Sequence, residues 1–312
     1  MISSKPKFVG KIMAQNTKAS FWKTNQKALA PWLFLAPGMI MFLIYVIYPI
    51  FQSINLSFYD WDGLGAKIYV GMQNYKDLLD DDSFYTSLWN NLIWLVLYLL
   101  AIPAGLAVAL FLNQTVTGIR IYKSLFFFPF VISQVVVGLI FTWFYAPGFG
   151  ILPHVFNFFT GTPIAILADE RYATYGVIAA GLWPQTAYCM ILYLTGLNNI
   201  SPDQVEAARM DKAKGWNMLW YIILPQLRPA TFIAMVVTII GALRSFDLIS
   251  IMTVGGPGGA TRVLSYFMYE KSFSEYGFAM GYGAAIAVVL FAIMLVFISL
   301  FIVRMLAQER NS

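Results

Sequence analysis

The sequence has one cysteine and one histidine in 312 residues, and only 11% of its residues are charged. These counts exclude an internal disulfide and any metal site built from several Cys or His ligands. We therefore predict no metal site, and we expect Cys189, which lies in an apolar segment, to be a packing residue. Soluble domains carry about 25% charged residues, whereas 59% of this chain is hydrophobic. The composition is that of an integral membrane protein.

The chain also lacks the patterns that mark an enzyme. No serine, threonine or cysteine stands beside a base in a catalytic spacing, and the acids cluster in one loop instead of facing each other. The run Gly255–Gly259, GGPGG, lacks the GK[ST] ending of a phosphate-binding loop, so we interpret it as a flexible or tightly turned surface loop. We predict no catalytic residue and no cofactor bound by this chain. The energy source must lie in another protein.

Six apolar segments are long enough to cross a hydrocarbon core of about 30 Å, which takes about 20 helical residues. We predict an all-α integral membrane protein with six transmembrane helices. The predicted spans are Leu29–Phe51, Leu88–Leu112, Ser124–Tyr145, Ala173–Leu197, Ala230–Thr253 and Phe278–Val303.

The basic residues divide unevenly between the two sides that these spans define. If the N-terminus is inside, 14 Lys and Arg lie in inside segments and 5 in outside segments, while Arg244 falls within a span. Because inside segments carry the excess of Lys and Arg, both termini are predicted to be cytoplasmic. Because the positions of the basic residues are accounted for by the membrane topology, we predict no nucleic acid partner. The N-terminal tail is expected to act as a topology anchor or to lie on anionic lipid.

Proline and glycine interrupt several spans. Backbone groups freed at such breaks need neighbouring helices or water as partners, which favours helices arranged around a cavity over a passive bundle. The interrupting residues are Pro49, Pro103, Pro129, Pro184 and Gly241.

Two charged residues lie within the fifth predicted span. Arg244 and Asp247 are three positions apart, which would place them on one face of a helix and allow an ion pair. Charges inside a membrane usually face a cavity or a partner, so both are candidates for a substrate pathway. The alternative is that the pair only holds two helices together.

Aromatic residues make up 17% of the chain. Those away from the span ends can stack on sugar rings, although packing is the alternative for each of them. The aromatic candidates for the pathway are Tyr98, Trp143, Trp183 and Tyr188, and Trp94 lies at a similar depth.

The segment Ala146–Tyr172 is too apolar to be freely solvated and too rich in proline and glycine to be another span. We predict that it is an interfacial segment at the outer mouth. Its histidine, His154, is expected to be structural or incidental and not catalytic.

A polar stretch, Ser201–Pro229, interrupts the apolar sequence between the fourth and fifth spans. Its start fits a capping box at Ser201, with proline at the next position and glutamine three residues on. We predict a short helix that ends at Gly215, a second helix over Trp216–Leu224, and a bend at the two prolines that follow.

Within this stretch the sequence resembles the EAA loop of binding-protein-dependent ABC importer permeases. The family pattern EAA-x-x-DGA-x5-F-x2-I-x-LP is met at unbroken spacing, except that Lys212 replaces the usual glycine and Leu219 a common phenylalanine. The run Phe246–Ile249, followed by Gly255–Pro257, resembles the end of the fifth span in carbohydrate permeases of the MalF/UgpA type. The matched loop positions are Glu206, Ala207, Ala208, Asp211, Ala213, Ile222, Leu224 and Pro225.

This resemblance implies the MetI-like permease fold. It divides the chain into a basic cytoplasmic tail (1–28), a six-span permease domain (29–304) with a coupling loop (198–229), and a cytoplasmic C-terminal tail (305–312). The implied function is import of a sugar, oligosaccharide or sugar-like solute across a bacterial or archaeal cytoplasmic membrane. The implied partners are a homologous second permease, two ABC ATPases that bind ATP and Mg²⁺, an extracytoplasmic solute-binding protein and membrane lipid. The implied coupling residues are Glu206, Ala207, Ala208, Asp211, Gly215, Leu224 and Pro225.

Two other functions fit the sequence less well. An ion-coupled secondary transporter would use Arg244 and Asp247 as its coupling pair, but no inverted repeat is detectable. A membrane-embedded enzyme would need a catalytic constellation that the sequence lacks. An ordinary amphipathic loop is the alternative for Ser201–Pro229, and the eight matched positions count against it.

Overall fold

The computed structural model describes residues 21–114, 117–274 and 278–309, with side chains from Ala30 to Arg304 within those ranges. The first twenty residues of the predicted basic tail and the last three of the chain lie outside the described residues. The chain divides into two compact units, residues 1–52 and 53–312. Both candidate sites lie in the second unit.

The described residues are mostly helical, as predicted, and they include one short antiparallel hairpin of β1 (Tyr59–Asp60) and β2 (Ile68–Tyr69). Short π-helical turns join some of the helices. In chain order the α-helices are α1 (Phe21–Phe42), α2 (Tyr48–Leu56), α3 (Gln73–Leu79), α4 (Asp82–Tyr98), α5 (Ala101–Leu112), α6 (Ile119–Val131), α7 (Gln134–Phe144), α8 (Ile151–Thr160), α9 (Ala173–Asn198), α10 (Pro202–Met210), α11 (Trp216–Met218), α12 (Leu224–Gln226), α13 (Arg228–Leu243), α14 (Asp247–Met252), α15 (Leu264–Tyr269) and α16 (Met280–Glu309).

Among the described residues, four helical stretches are long and apolar enough to cross a membrane, and the number is six if each of two bent helix pairs counts as one span. The third predicted span is one of these pairs, because α6 and α7 meet at 100°. Ile132 between them is extended, and the Ser133 hydroxyl accepts a hydrogen bond from the N–H of Val136 at 3.4 Å, which starts α7 afresh.

The fifth predicted span, Ala230–Thr253, is not one helix. Helix α13 ends at Leu243, and α14 begins only at Asp247. The Ser245 hydroxyl donates to the carbonyl of Gly241 at 3.1 Å, a side-chain bond that competes with the helical ladder. The prediction of a continuous helix is therefore wrong here, and the break falls at the predicted pathway residues.

Helix α9 lies at the centre of the second unit and packs against α4, α5, α6 and α13. It approaches α5 closely, because a Cβ added to Gly105 would lie only 2.5 Å from the Cβ of Cys189. Small residues allow such close packing of membrane helices. Cys189 itself is fully buried, as a packing residue would be.

The segment Ala146–Tyr172 contains α8, on which Phe158 and Phe159 are exposed. The Nδ1 atom of His154 lies 2.9 Å from the carbonyl oxygen of Gly150, so the imidazole is engaged within its own segment. An exposed apolar helix face suits a membrane interface. The interfacial position of this segment stays a prediction.

Candidate functional site

The predicted coupling loop, residues 198–229, begins with α10. Ser201 is the N-cap, Pro202 the first helical residue, and Asp203 lies in the first turn, as predicted. Ser201 makes no side-chain capping bond, so the predicted capping box is wrong. The backbone N–H of Gln204 donates instead to the carbonyl of Ser201 at 3.2 Å. Proline and an acid at the start favour this helix without the box.

Helix α10 ends at Met210, in a turn built around Lys212, whose φ is 63°. The N–H of Lys212 donates to the carbonyl of Arg209 at 3.0 Å. The N–H of Ala213 donates to the carbonyl of Ala208 at 2.9 Å. This pair of bonds is a Schellman turn, with lysine in the left-handed position that glycine usually occupies.

Gly215, the predicted end of this helix, serves a different purpose. It is the N-cap of α11, with φ 53° and ψ −120°. Because Lys212 has already ended α10, the positive φ of Gly215 is used to start the next helix. The prediction of Gly215 as the helix stop is wrong.

Helix α10 has an outward and an inward face. Glu206 and Ala207 are exposed, whereas Ala208 is buried within this chain. Of the two alanines predicted to allow close approach of a partner, only Ala207 is available for it. Met210 is 84% exposed and lies one turn after Glu206 and Ala207, so it belongs to the outward face. Sequence analysis missed Met210, although its helical spacing was a usable signal.

Three predicted coupling residues remain, one at the end of α10 and two before a bend. Asp211 is the exposed C-cap of α10, and Leu224 and Pro225 lie in α12. The segment that ends with α12 and the helix α13 meet at 72°. Leu227 at this bend is fully buried in the core between α5 and α9, where a Cβ added to Gly196 would lie 2.8 Å from its Cδ2. Leu227 therefore anchors the bend in a space that Gly196 leaves open.

A cavity of about 300 Å³ lies at the break between α13 and α14. It receives side chains from α4, α7, α9 and α13, and three of the six predicted pathway residues line it: Tyr98, Arg244 and Asp247. The Tyr98 hydroxyl donates to the carbonyl of Gly181 at 3.0 Å, which fixes its ring at the cavity wall.

The two charged residues occupy the two sides of the break. Arg244 is the C-cap of α13 and Asp247 the first residue of α14, positions where a cation and an acid suit the helix dipole. The ion pairs found among the described residues lie elsewhere. The predicted Arg244–Asp247 pair on one helix face is wrong, because the helix is interrupted between the two residues.

The other three aromatic candidates do not line this cavity. Trp143 is 64% exposed, and the ring of Tyr188 packs on Phe130 with centroids 5.2 Å apart. Trp183 packs on Phe141 and borders a separate groove formed by α5, α6 and α9. Their assignment to a pathway stays a prediction.

Besides Ser245 of the break, Trp94 and two glutamines add polar groups to the cavity wall. Trp94 is 1% exposed, and neither its Nε1 nor the Oε1 of Gln134 has a hydrogen-bond partner in the part of the chain that the structure describes. Gln185 donates to the hydroxyl of Thr238 at 2.8 Å. Sequence analysis missed the two glutamines, and an amide in an apolar span was the available signal.

Known proteins of similar sequence include membrane transport proteins. Residues 101–311 match the family described as binding-protein-dependent transport system inner membrane component. A probable ABC transporter permease protein of Pyrococcus horikoshii is 36% identical over 268 residues, which cover 85% of this chain and 91% of the relative. The alpha-glucoside transport system permease protein AglF of Rhizobium meliloti is 31% identical over 298 residues, which cover 92% of this chain and 83% of the relative.

Solved structures include one with the same fold. A chain from the crystal structure of a bacterial ABC transporter involved in the import of the acidic polysaccharide alginate superposes with a TM-score of 0.77 at 21% identity. The superposition covers 90% of this chain and 96% of that one. The predicted MetI-like helical fold and the predicted family are confirmed. The chain belongs to the family of binding-protein-dependent transport system inner membrane components.

Proposed function

We propose that this chain is the permease subunit of an importer for a sugar, an oligosaccharide or a sugar-like solute, in the cytoplasmic membrane of a bacterium or archaeon. The names of similar proteins support this substrate class: one relative is named for alpha-glucoside transport, and the transporter of similar fold imports alginate.

The chemistry of the cavity carries the proposal. Trp94 offers an N–H donor and Gln134 an oxygen acceptor, and both atoms are buried without a partner among the described residues. A hydroxyl group both donates and accepts, so a polyhydroxylated solute matches such a set. Leaving these atoms unsatisfied costs about 1–3 kcal/mol each, which favours binding of a solute that satisfies them. The rings of Trp94 and Tyr98 are buried against each other in the cavity wall, with centroids 5.3 Å apart, and hold this wall in place.

The charge distribution supports a topology for this subunit. With 14 Lys and Arg on one side and 5 on the other, six spans place both termini and the loop 198–229 in the cytoplasm. Residues 29–304 would then form the permease domain, with residues 1–28 as a basic cytoplasmic tail.

The partners follow from the family. A homologous second permease would complete the pathway, a solute-binding protein would deliver the solute from outside, and two ABC ATPases would bind ATP and Mg²⁺. The outward face of α10, with Glu206, Ala207 and Met210, would sit in a cleft of the ATPase. Closure of the ATPase dimer would then move the two permeases and switch the access of the cavity.

Reconstitution of the complete complex in liposomes tests this function. We expect uptake of a radiolabelled sugar to require ATP on the side of α10 and the solute-binding protein on the other side. Uptake that depends on an ion gradient and not on ATP would favour a secondary transporter instead. Arg244 and Asp247 do not form an ion pair with each other, which already counts against that mechanism.

A further inference from the structure

Two adjacent asparagines of α4 bond to segments far away in the sequence. Asn90 is 5% exposed, and its Nδ2 donates to the carbonyls of Ala260 and Arg262, both at 2.7 Å. The hydroxyl of Thr174 in α9 donates to the same Ala260 carbonyl at 3.0 Å. The segment 253–262, which we term the glycine loop, is thus pinned to both α4 and α9.

The glycine loop is also closed on itself. Thr261 is buried, and its hydroxyl donates to the carbonyl of Gly256 at 2.9 Å. The hydroxyls of Thr261 and Thr253 lie 2.8 Å apart in a second bond across the loop. Of the two interpretations of the GGPGG run, the structure shows the tightly turned one.

Asn91 connects the end of this loop to the cavity. It is 2% exposed, and its Oδ1 accepts a hydrogen bond at 2.8 Å from the N–H of Leu264, the first residue of α15. Its Nδ2 lies 3.5 Å from the carbonyl oxygen of Leu243, the residue before Arg244. The next residue of α15 adds a second connection, because the hydroxyl of Ser265 donates to the carbonyl of Ser245 in the break.

We propose that Asn90 and Asn91 are positioning residues that join the glycine loop and the cavity break, residues 244–246, into one rigid unit. Buried polar side chains in membrane helices have no water to replace a lost partner, so their bonds are retained when the helices move. A displacement of the glycine loop therefore also moves Arg244 and Asp247 in the cavity. The consequence for uptake rests on the proposed function, whereas the rigidity does not.

Amide hydrogen exchange tests the rigid unit in the full-length chain, assembled with its partner subunits in lipid nanodiscs. Asn90→Leu keeps a similar volume and releases the two loop carbonyls. We expect exchange to become about tenfold faster, the equivalent of about 1.4 kcal/mol, both in residues 255–262 and in residues 244–247. Faster exchange in the glycine loop with unchanged exchange in the break would overturn the proposal.

Two further variants keep this test decisive. Ser87→Ala removes a hydroxyl that donates to the Ser83 carbonyl within α4, at 2.7 Å, so exchange in both segments should stay unchanged. If Asn90→Leu does not assemble, Thr174→Val removes a single bond to the Ala260 carbonyl and should give a smaller acceleration in the same two segments. An equal acceleration in Ser87→Ala would mean that general loosening of α4, not the asparagine bonds, is responsible.

Uptake kinetics separate positioning from binding. Asn90 does not line the cavity. Asn90→Leu should therefore lower the maximal uptake rate severalfold, while the KM for sugar changes by less than about twofold. Asn90→Gln keeps the amide donor and should restore part of the rate. A raised KM with an unchanged rate would contradict the positioning role. Absence of ATP-driven uptake in the unmodified complex would reject the proposed function and leave the exchange result standing.

Discussion

At the scale of single residues, Lys212 holds a backbone conformation that glycine adopts with less strain. Its φ of 63° costs a non-glycine residue about 1–2 kcal/mol. Replacement by glycine relieves this strain, and glycine's greater freedom in the unfolded chain offsets part of the gain. We expect Lys212→Gly to stabilise the turn by about 0.5–1 kcal/mol, measured as slower exchange of the Ala213 amide.

The neighbouring Lys214 provides the control for this prediction. Its φ is not positive, so Lys214→Gly has no left-handed strain to relieve and should speed exchange slightly. Equal effects of the two substitutions would show that removal of charge, and not backbone strain, governs the turn.

Trp94 is a residue at which the indole N–H can be tested for a contact with the solute. Trp94→Phe keeps an aromatic ring but removes a buried N–H that has no partner among the described residues. Loss of that donor removes its desolvation penalty, but the smaller ring leaves a cavity at a fully buried site, so the folded chain should be less stable by about 1–2 kcal/mol. If the donor meets a sugar hydroxyl, the KM for uptake should rise about tenfold, the effect of about 1.4 kcal/mol.

Trp89 lies on the same helix and is exposed, so Trp89→Phe is the matched control. The thermal unfolding midpoint and the uptake KM are measured for both variants. An unchanged KM in Trp94→Phe would remove the indole N–H from the substrate contacts.

At the scale of elements, the bend between α12 and α13 depends on the fit of Leu227 against Gly196. A Cβ at residue 196 would lie 2.8 Å from Leu227 Cδ2 and 3.1 Å from the Cβ of Ala230. We expect Gly196→Leu to destabilise the chain by about 1–3 kcal/mol through overpacking, seen as a lower thermal unfolding midpoint. Gly148→Leu is the control, since a Cβ there meets open space.

Hydropathy predicted the helical class and the Ser201–Pro202 pair predicted the start of α10, because both signals are local. The family was predicted from the resemblance of the loop positions Glu206 to Pro225. The sequence did not predict the breaks at Ile132 and at Ser245–Phe246, since none of these residues is proline or glycine. Those breaks depend on side-chain bonds, such as that of Ser245 to Gly241, that form only in the folded chain.

The candidate site was predicted in part for a related reason. Depth along a helix follows from position in the sequence, and Tyr98, Arg244 and Asp247 do line one cavity. The rotation of a helix about its own axis depends on its neighbours, so Trp143 and Trp183, at similar depth, point elsewhere. An aromatic residue in an apolar span carries no signal that separates these two cases.

At the scale of the whole molecule, coupling requires a surface that is exposed in this chain and fits another. The outward face of α10 meets the first requirement, because Glu206, Ala207 and Met210 are exposed, and Glu206 is the acidic residue among residues 206–210. We expect Glu206→Lys to leave the chain in the membrane and to lower both uptake and sugar-stimulated ATP hydrolysis about tenfold or more, because reversing a charge removes a charge-assisted bond worth about 1.5–3 kcal/mol.

Gln204 gives this prediction its control, because it is exposed on α10 but lies about 200° around the helix from Glu206. Gln204→Lys adds positive charge to the same helix and should leave coupling close to normal. Met210→Ala, which trims the outward face without changing charge, should give an intermediate loss. Normal uptake and normal sugar-stimulated ATP hydrolysis in Glu206→Lys would show that α10 does not couple the ATPase to transport. Equal losses in Glu206→Lys and Gln204→Lys would show that net charge, and not the outward face, governs docking.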